Sequence, residues 1–216
     1  ENINLVSFSD AHSFWPWRLG RECTIFDTEL NAKEILNAIK TGNGIKETIE
    51  VNPNYGKYHY DGHRNCNIRL NPEETRKLNG ICPKCKTPLT IGVQYRIEEL
   101  AKHEENYIPE NTKPFKSLIP LSELVSAVYN VKQLYAKKVS DIYNKLISKF
   151  GNEFNVLINV DEKQLLEIID KKLVDVILSN RECKLKINPG YDGVYGQIIL
   201  NDNENLLARQ KSLVEF

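Results

Sequence analysis

The 216-residue chain contains no methionine, not even at its first position. It also opens with an apolar stretch that runs straight into an acidic and histidine pair, so part of a longer protein is expected. Net charge is lacking too: 29 Lys and Arg balance 29 Asp and Glu. That balance gives no global case for a polyanionic partner, while leaving room for a local basic face. No apolar run approaches the roughly 18 residues of a membrane span, and no signal-peptide pattern opens the chain, so no membrane partner is expected. Histidine is scarce, with His12, His59, His63 and His103 making up the whole set. Cysteine occurs five times. An odd count argues against a disulfide framework and fits a reducing, cytoplasmic compartment. What is present is a hydrophobic fraction of 41%, enough for a packed core in one large or two small domains.

Three of the cysteines are paired by spacing. His63 and Cys66 read His-x2-Cys; Cys82 and Cys85 read Cys-x2-Cys. Each spacing lets a tight turn aim two ligands at one point, and two facing turns close the tetrahedron that Zn²⁺ takes from Cys3His sets. Pro72 and Gly80 in the gap are turn formers. Lys84 and Lys86 flank Cys85 and favour its thiolate, the metal-binding form. Ordinary buried thiols beside a surface histidine would not explain two x2 spacings, so a structural zinc ribbon is expected over 53–100. His59 is a competing ligand, and Asp61 is placed to orient His63. Cys23 and Cys183 are expected to be free buried thiols.

Periodicity supplies the rest of the fold. Ile3–Phe8 reads as a short buried strand. Asn31 with Glu34 is a capping-box spacing, Ile35, Leu36 and Ile39 form an apolar face, and Gly42 stops the helix. Ile45–Val51 alternates as a strand, and Leu89–Val93 reads as another, followed by a helical run through Ile97 and Leu100. Residues 102–114 read as a loop. Ser122–Phe150 carries the longest helical pattern, ended by Gly151, and a further helix starts at Asn159 or Asp161. Lys137, Lys138, Lys145 and Lys149 make the long helix basic on one side, most simply a solvated face. Residues 184–198, with Pro189-Gly190 and Asp192-Gly193 between strand-like runs, carry a β-hairpin signature. Residues 201–216 read as a poorly ordered tail.

Several candidates for function stand out. Asp10 and His12 flank one residue and can point the same way, which suits two ligands of a divalent metal; an aspartate that merely orients a histidine is an equal alternative. Trp15, with Arg18 and Arg21 close by, forms either a loop packed by its rings or a platform on which bases stack beside phosphate-holding cations. Gly190 and Gly193, around Tyr191, permit close backbone approach to a ligand or simply to the next strand.

Taken in order, these motifs resemble a known family. Ser9-Asp10-Ala11-His12-Ser13-x-Trp15-Pro16-x-Arg18-Leu19-Gly20-Arg21-Glu22 resembles the end of a polymerase-and-histidinol-phosphatase (PHP) metal domain. Gly56-Lys57-Tyr58-His59-x-Asp61-Gly62-His63-Arg64-x-Cys66, Cys82-Pro83-x-Cys85 and Pro189–Gly196 resemble the zinc ribbon and closing hairpin of one PHP subgroup, the endonuclease Q family of DNA repair nucleases. The resemblance implies an α+β C-terminal portion. Residues 1–52 would be the last strand and helix of a PHP-type β/α barrel, 53–100 the ribbon, and 115–200 a helical domain closed by the hairpin. It implies cleavage of DNA 5′ to deaminated bases or abasic sites, with a flipped base read in a pocket. It also implies structural Zn and divalent Zn, Mn or Mg in the complete catalytic site. Asp10 and His12 match the family's last two metal ligands; the earlier ligands would come from an N-terminal part of the same protein, so this chain alone is expected to be inactive. Trp15, Arg18, Arg21, Gly190, Tyr191 and Gly193 are then candidates for DNA contact. The rival readings are a PHP phosphoesterase for a small phosphate ester and a non-catalytic zinc-ribbon binding module.

Overall fold

The computed structural model describes residues 3–104, 107–110 and 112–200, so the expected tail at 201–216 lies outside the described residues. In chain order the elements are β1 (Cys23–Phe26), α1 (Ala32–Thr41), β2 (Ile45–Glu50), β3 (Asp61–His63), β4 (Ile68–Leu70), α2 (Pro72–Lys77) and α3 (Val93–Leu100). Then come β5 (Phe115–Ser117), α4 (Leu121–Val128), α5 (Lys137–Phe150), α6 (Glu162–Leu166), α7 (Lys171–Arg181), β6 (Lys186–Asn188) and β7 (Gln197–Ile199). No described helix is long and apolar enough to cross a membrane.

The described residues fall into two compact units. The first takes in those of Glu1–Val51 and Ile108–Lys184, the second those of Asn52–Tyr107 and Leu185–Phe216. The first unit holds a mixed sheet ordered β1-β2-β5. β1 runs antiparallel to β2, with Cys23 opposite Ile49, and β5 runs parallel to β2, with Lys116 opposite Ile49. Its core is the side of β2 carrying Ile45 and Ile49 and the apolar faces of the helices, among them Leu121, Leu124, Val139, Leu146, Leu165, Leu173 and Ile177, all buried. α1 forms as its caps require: the Asn31 side chain accepts the Glu34 N–H, and Gly42 turns left-handed at φ 78°. The buried residue of α1 is Ala38, while Leu36 remains exposed.

The long helical pattern is interrupted. α4 stops at Val128 because Asn130 adopts a left-handed conformation (φ 52°), the Val131 N–H returns to the Ser126 carbonyl, and the Asn130 N–H returns to that of Ala127. These are the two bonds of a Schellman cap, with asparagine in the place glycine usually fills. Ser122 does not cap α4; instead the Glu153 carboxylate accepts the Leu121 N–H at 2.7 Å. The next pattern is also split. Asp161 caps α6 through the Gln164 N–H, and Asp170 caps α7 through the Leu173 N–H. Cys183 ends α7 at φ 54° and is exposed, not a buried thiol. Ile3–Phe8 does not form the expected buried strand: Ile3, Leu5 and Phe8 are exposed, and the segment is held by Ser7 bonding Thr24 through N–H and carbonyl.

The second unit is the ribbon together with the hairpin. β3 and β4 form one antiparallel pair and β6 and β7 another. The hairpin, expected with helical residues 115–200, folds with the ribbon instead. Gly190 accepts the Tyr60 N–H and donates to the Asn54 carbonyl, Gly193 donates to Lys57, and Gly196 donates to Tyr55. Glycine is required for this approach: a Cβ on Gly190 would sit 2.3 Å from the Gly56 carbonyl, and one on Gly196 would sit 2.3 Å from that of Asn54. The interval between the two ligand pairs is more than a turn. Asn71 and Glu74 make a reciprocal capping box on α2, with Pro72 in its first turn. Leu89–Val93 gives only a bridge between Gly62 and Thr90 before α3 begins.

Candidate metal centre and catalytic pair

β3 ends at His63 and a single 3-10 turn follows through Cys66; the opposing loop carries Cys82 and Cys85. One ligand atom from each of these four residues lies within 4.8 Å of all the others. A tetrahedron with Zn–S bonds of about 2.3 Å has edges of roughly 3.8 Å, so the four converge at the scale a zinc ion demands. Cys82 is buried among Ile68, Leu70 and Leu89, with Cys66 packed against them, while Cys85 is exposed. The second knuckle is fixed by the Cys82 N–H donating to Thr87 and the Lys86 N–H donating to Cys82. Lys84 and Lys86 donate from Nζ to the Cys66 and Pro83 carbonyls, at 2.8 and 2.9 Å.

The thiols are unequal. Cys85 Sγ lies 3.1 Å from His63 Nδ1 and 3.0 Å from the Thr87 hydroxyl. Hydrogen bonding from Thr87, side chain and backbone, draws Cys85 down to about 6, which favours the thiolate that binds metal. Cys66 is pushed up to about 11, first by its hydrogen bond to Cys85 and then by burial. A soft donor set of three sulfurs and one imidazole suits a metal ion such as Zn²⁺.

His59 lies outside this cluster. It is buried, its pKa is lowered by that burial, and its Nδ1 has no hydrogen-bond partner among the described residues. Asp61 does not orient His63. One of its oxygens accepts the Gly92 N–H at 2.6 Å, a close passage that glycine permits, since a Cβ there would sit 2.5 Å from the His59 carbonyl.

Asp10 and His12 do come together, Oδ2 to Nε2 at 3.3 Å, but both side chains are almost entirely solvent-exposed. They share an open cleft of about 330 Å³ with Ser9, Arg18, Arg21 and Glu22. Phe14, Trp15 and Trp17 form a continuous stack, with ring centroids 5.0 and 4.9 Å apart. Arg21 is largely withdrawn from solvent, 13% exposed and 3.9 Å from Glu123. The glycines of the hairpin make backbone contacts inside their own unit, and Tyr191 is buried with its hydroxyl donating to Asn67.

One cavity had no signal in the sequence. It measures about 280 Å³ and is lined by Trp17, Arg21, Leu118, Tyr143, Glu153 and Phe154, among others. Glu153 accepts from the Tyr143 hydroxyl at 3.0 Å, and burial raises its pKa. Glu153 reads as a helix-terminal surface acid until α5 folds back on it.

Comparison with known proteins adds to this geometry. Residues 120–184 match the family described as the MJ0043 C-terminal domain. The chain is 36% identical over 203 residues to the uncharacterized protein MJ0043 of Methanocaldococcus jannaschii, covering 91% of this chain and 25% of that protein. It is similar, at 32% identity and a TM-score of 0.77 over 96% of its length, to the lesion-specific endonuclease PfuEndoQ of Pyrococcus furiosus. It is similar, at 31% identity and a TM-score of 0.80 over 97% of its length, to endonuclease Q solved with a 27-mer duplex substrate bearing an abasic lesion at the active site. The chain spans 52% of each solved relative.

Proposed function

We propose that this chain is a DNA-contacting portion of an endonuclease Q-like repair nuclease, one that cuts the DNA backbone 5′ to deaminated bases or abasic sites. What carries the reading is that nearly all of this chain, 96–97%, matches about half of endonuclease Q at 31–32% identity, including a solved complex with lesion-bearing duplex. Within it, His63, Cys66, Cys82 and Cys85 hold a structural Zn²⁺ that fixes the ribbon. Asp10 and His12 are the last two ligands of a divalent metal site, Zn, Mn or Mg, whose other ligands come from an N-terminal part of the same protein. Their exposure supports this division of labour, because a carboxylate and imidazole in open water are available for a metal. Metals held there would supply Lewis-acid activation of water and charge stabilisation on the leaving oxygen. Asp10 contributes negative charge, and His12, turned by Asp10, offers a ring nitrogen. Arg18 lines the same cleft and would hold a phosphate, while Trp15, three residues before it, would stack on a base.

The test joins this chain to the matching N-terminal half of endonuclease Q and follows nicking of abasic duplex. The 216-residue chain alone leaves the duplex intact, and the joined protein nicks it in the presence of divalent metal. Asp10→Asn in the joined protein lowers the rate more than tenfold without changing melting temperature. A variant that cuts within about tenfold of the parent, a barrier change near 1.4 kcal/mol, removes Asp10 from the metal site.

A further inference from the structure

On the ribbon unit, aromatic rings and cations gather around the turn of the hairpin. Lys57 Nζ lies 5.5 Å from the ring centroid of Tyr58 and 5.9 Å from that of Tyr195, so one ammonium bridges both. The two tyrosines are 46% and 48% exposed, and Tyr55 backs Tyr195 at 6.5 Å. Arg64 reaches the same place: a Cβ on Gly193 would sit 3.3 Å from its guanidinium and 3.7 Å from the Tyr58 hydroxyl. Asp192 is the acidic residue next to Gly193, and both of its oxygens are engaged. One accepts the Arg64 backbone N–H and the other the Thr90 hydroxyl, each at 2.7 Å. Among the described residues neither Lys57 nor the Arg64 side chain forms an ion pair. Tyrosines that serve a core are buried with their hydroxyls bonded, as Tyr191 is. Tyr58 and Tyr195 instead remain about half exposed, with the Lys57 ammonium over both rings.

We infer that Tyr58 and Tyr195, with Lys57 and Arg64, form a stacking platform for an unpaired DNA strand. Ring faces accept bases only when the bases are out of the duplex stack, and the two cations hold the phosphates that accompany them. Because every base has a π-face, the platform is tolerant of sequence. It suits an enzyme that must open a duplex to inspect a base. The inference rests on the DNA-binding reading above and adds to it a surface for the unpaired strand, built from residues outside the Asp10 cleft.

The test uses the zinc-loaded chain, a short labelled oligothymidylate and a duplex of equal length. The wild type binds the single strand, and Tyr58→Ala with Tyr195→Ala weakens that binding about thirtyfold or more while zinc content and duplex affinity are retained. Tyr58→Phe with Tyr195→Phe binds as the wild type does, since the ring and not the hydroxyl is used. Lys57→Gln with Arg64→Gln flattens the salt dependence of single-strand binding by roughly 0.7 for each phosphate that is no longer neutralised. An alanine pair that binds the single strand as tightly as wild type overturns the inference. A wild type that binds duplex but not single strand also overturns it, leaving the DNA-binding reading in place. A wild type that binds neither overturns both.

Discussion

Cys82→Ala and Cys85→Ala, compared side by side, separate a metal-built ribbon from one held by packing. Cys82 is buried among Ile68, Leu70 and Leu89, whereas Cys85 is exposed. If only packing mattered, removing the Cys82 sulfur would cost about 1 kcal/mol, of the order of one buried methylene, and removing that of Cys85 almost nothing. If both sulfurs bind zinc, each variant loses a quarter of the donor set of a site worth about 10–16 kcal/mol, roughly 2.5–4 kcal/mol even if the rest of the site survives. That is a large share of the roughly 5–15 kcal/mol by which whole domains are stable, so both variants should weaken the ribbon to a similar extent. The assay reads the units separately. Both tryptophans, Trp15 and Trp17, belong to the first unit, while most of the tyrosines, including Tyr58, Tyr60 and Tyr191, belong to the second. Loss of tyrosine near-ultraviolet dichroism and of bound zinc in both variants, and in wild type treated with a chelator, is the expected result. A Cys85→Ala protein that melts like wild type and keeps its tyrosine signal refutes the reasoning.

Two further perturbations address the units themselves. Gly190→Ala should destabilise the second unit by about 2 kcal/mol or more, because the new Cβ would sit 2.3 Å from the Gly56 carbonyl and 2.6 Å from that of Val194; an unchanged tyrosine melting curve contradicts the hairpin's place on the ribbon. Glu153, with its pKa raised chiefly by burial, favours the folded state most when protonated. Its contribution is therefore full below the ordinary carboxylate pKa of about 4.3 and is lost as pH rises through the raised value. Glu153→Gln should flatten that part of the stability–pH profile read by tryptophan fluorescence, and an unchanged profile counts against a buried acid there.

How far the sequence disclosed this molecule depended on how local each signal was. The clustering of His63, Cys66, Cys82 and Cys85 was legible because a metal site needs two ligands per tight turn, and that spacing is written in nearby residues. α1 was legible for the same reason, since Asn31, Glu34 and Gly42 cap it within one short segment. The break after Val128 was not, because Asn130 stands in for glycine in the cap and the surrounding apolar pattern continues past it. Ile3–Phe8 reads as buried by composition, yet burial depends on a partner surface that no short segment encodes. The hairpin was recognised as a hairpin but assigned to the wrong neighbour: its pairing with residues 54–60 spans more than a hundred positions and leaves only glycines as its mark. Lys57, Tyr58 and Tyr195 read as mixed aromatic sequence until that same pairing brings them together.

The most direct measurement of the central claim is equilibrium binding of the zinc-loaded chain to a duplex carrying a single abasic site, followed across a salt series. The account predicts binding whose logarithm falls linearly with the logarithm of salt, with a slope of about −0.9 for each phosphate contacted, and tighter binding to the abasic duplex than to its undamaged counterpart. No detectable binding at low salt, or binding indifferent to salt, would contradict a DNA-contacting role for this chain.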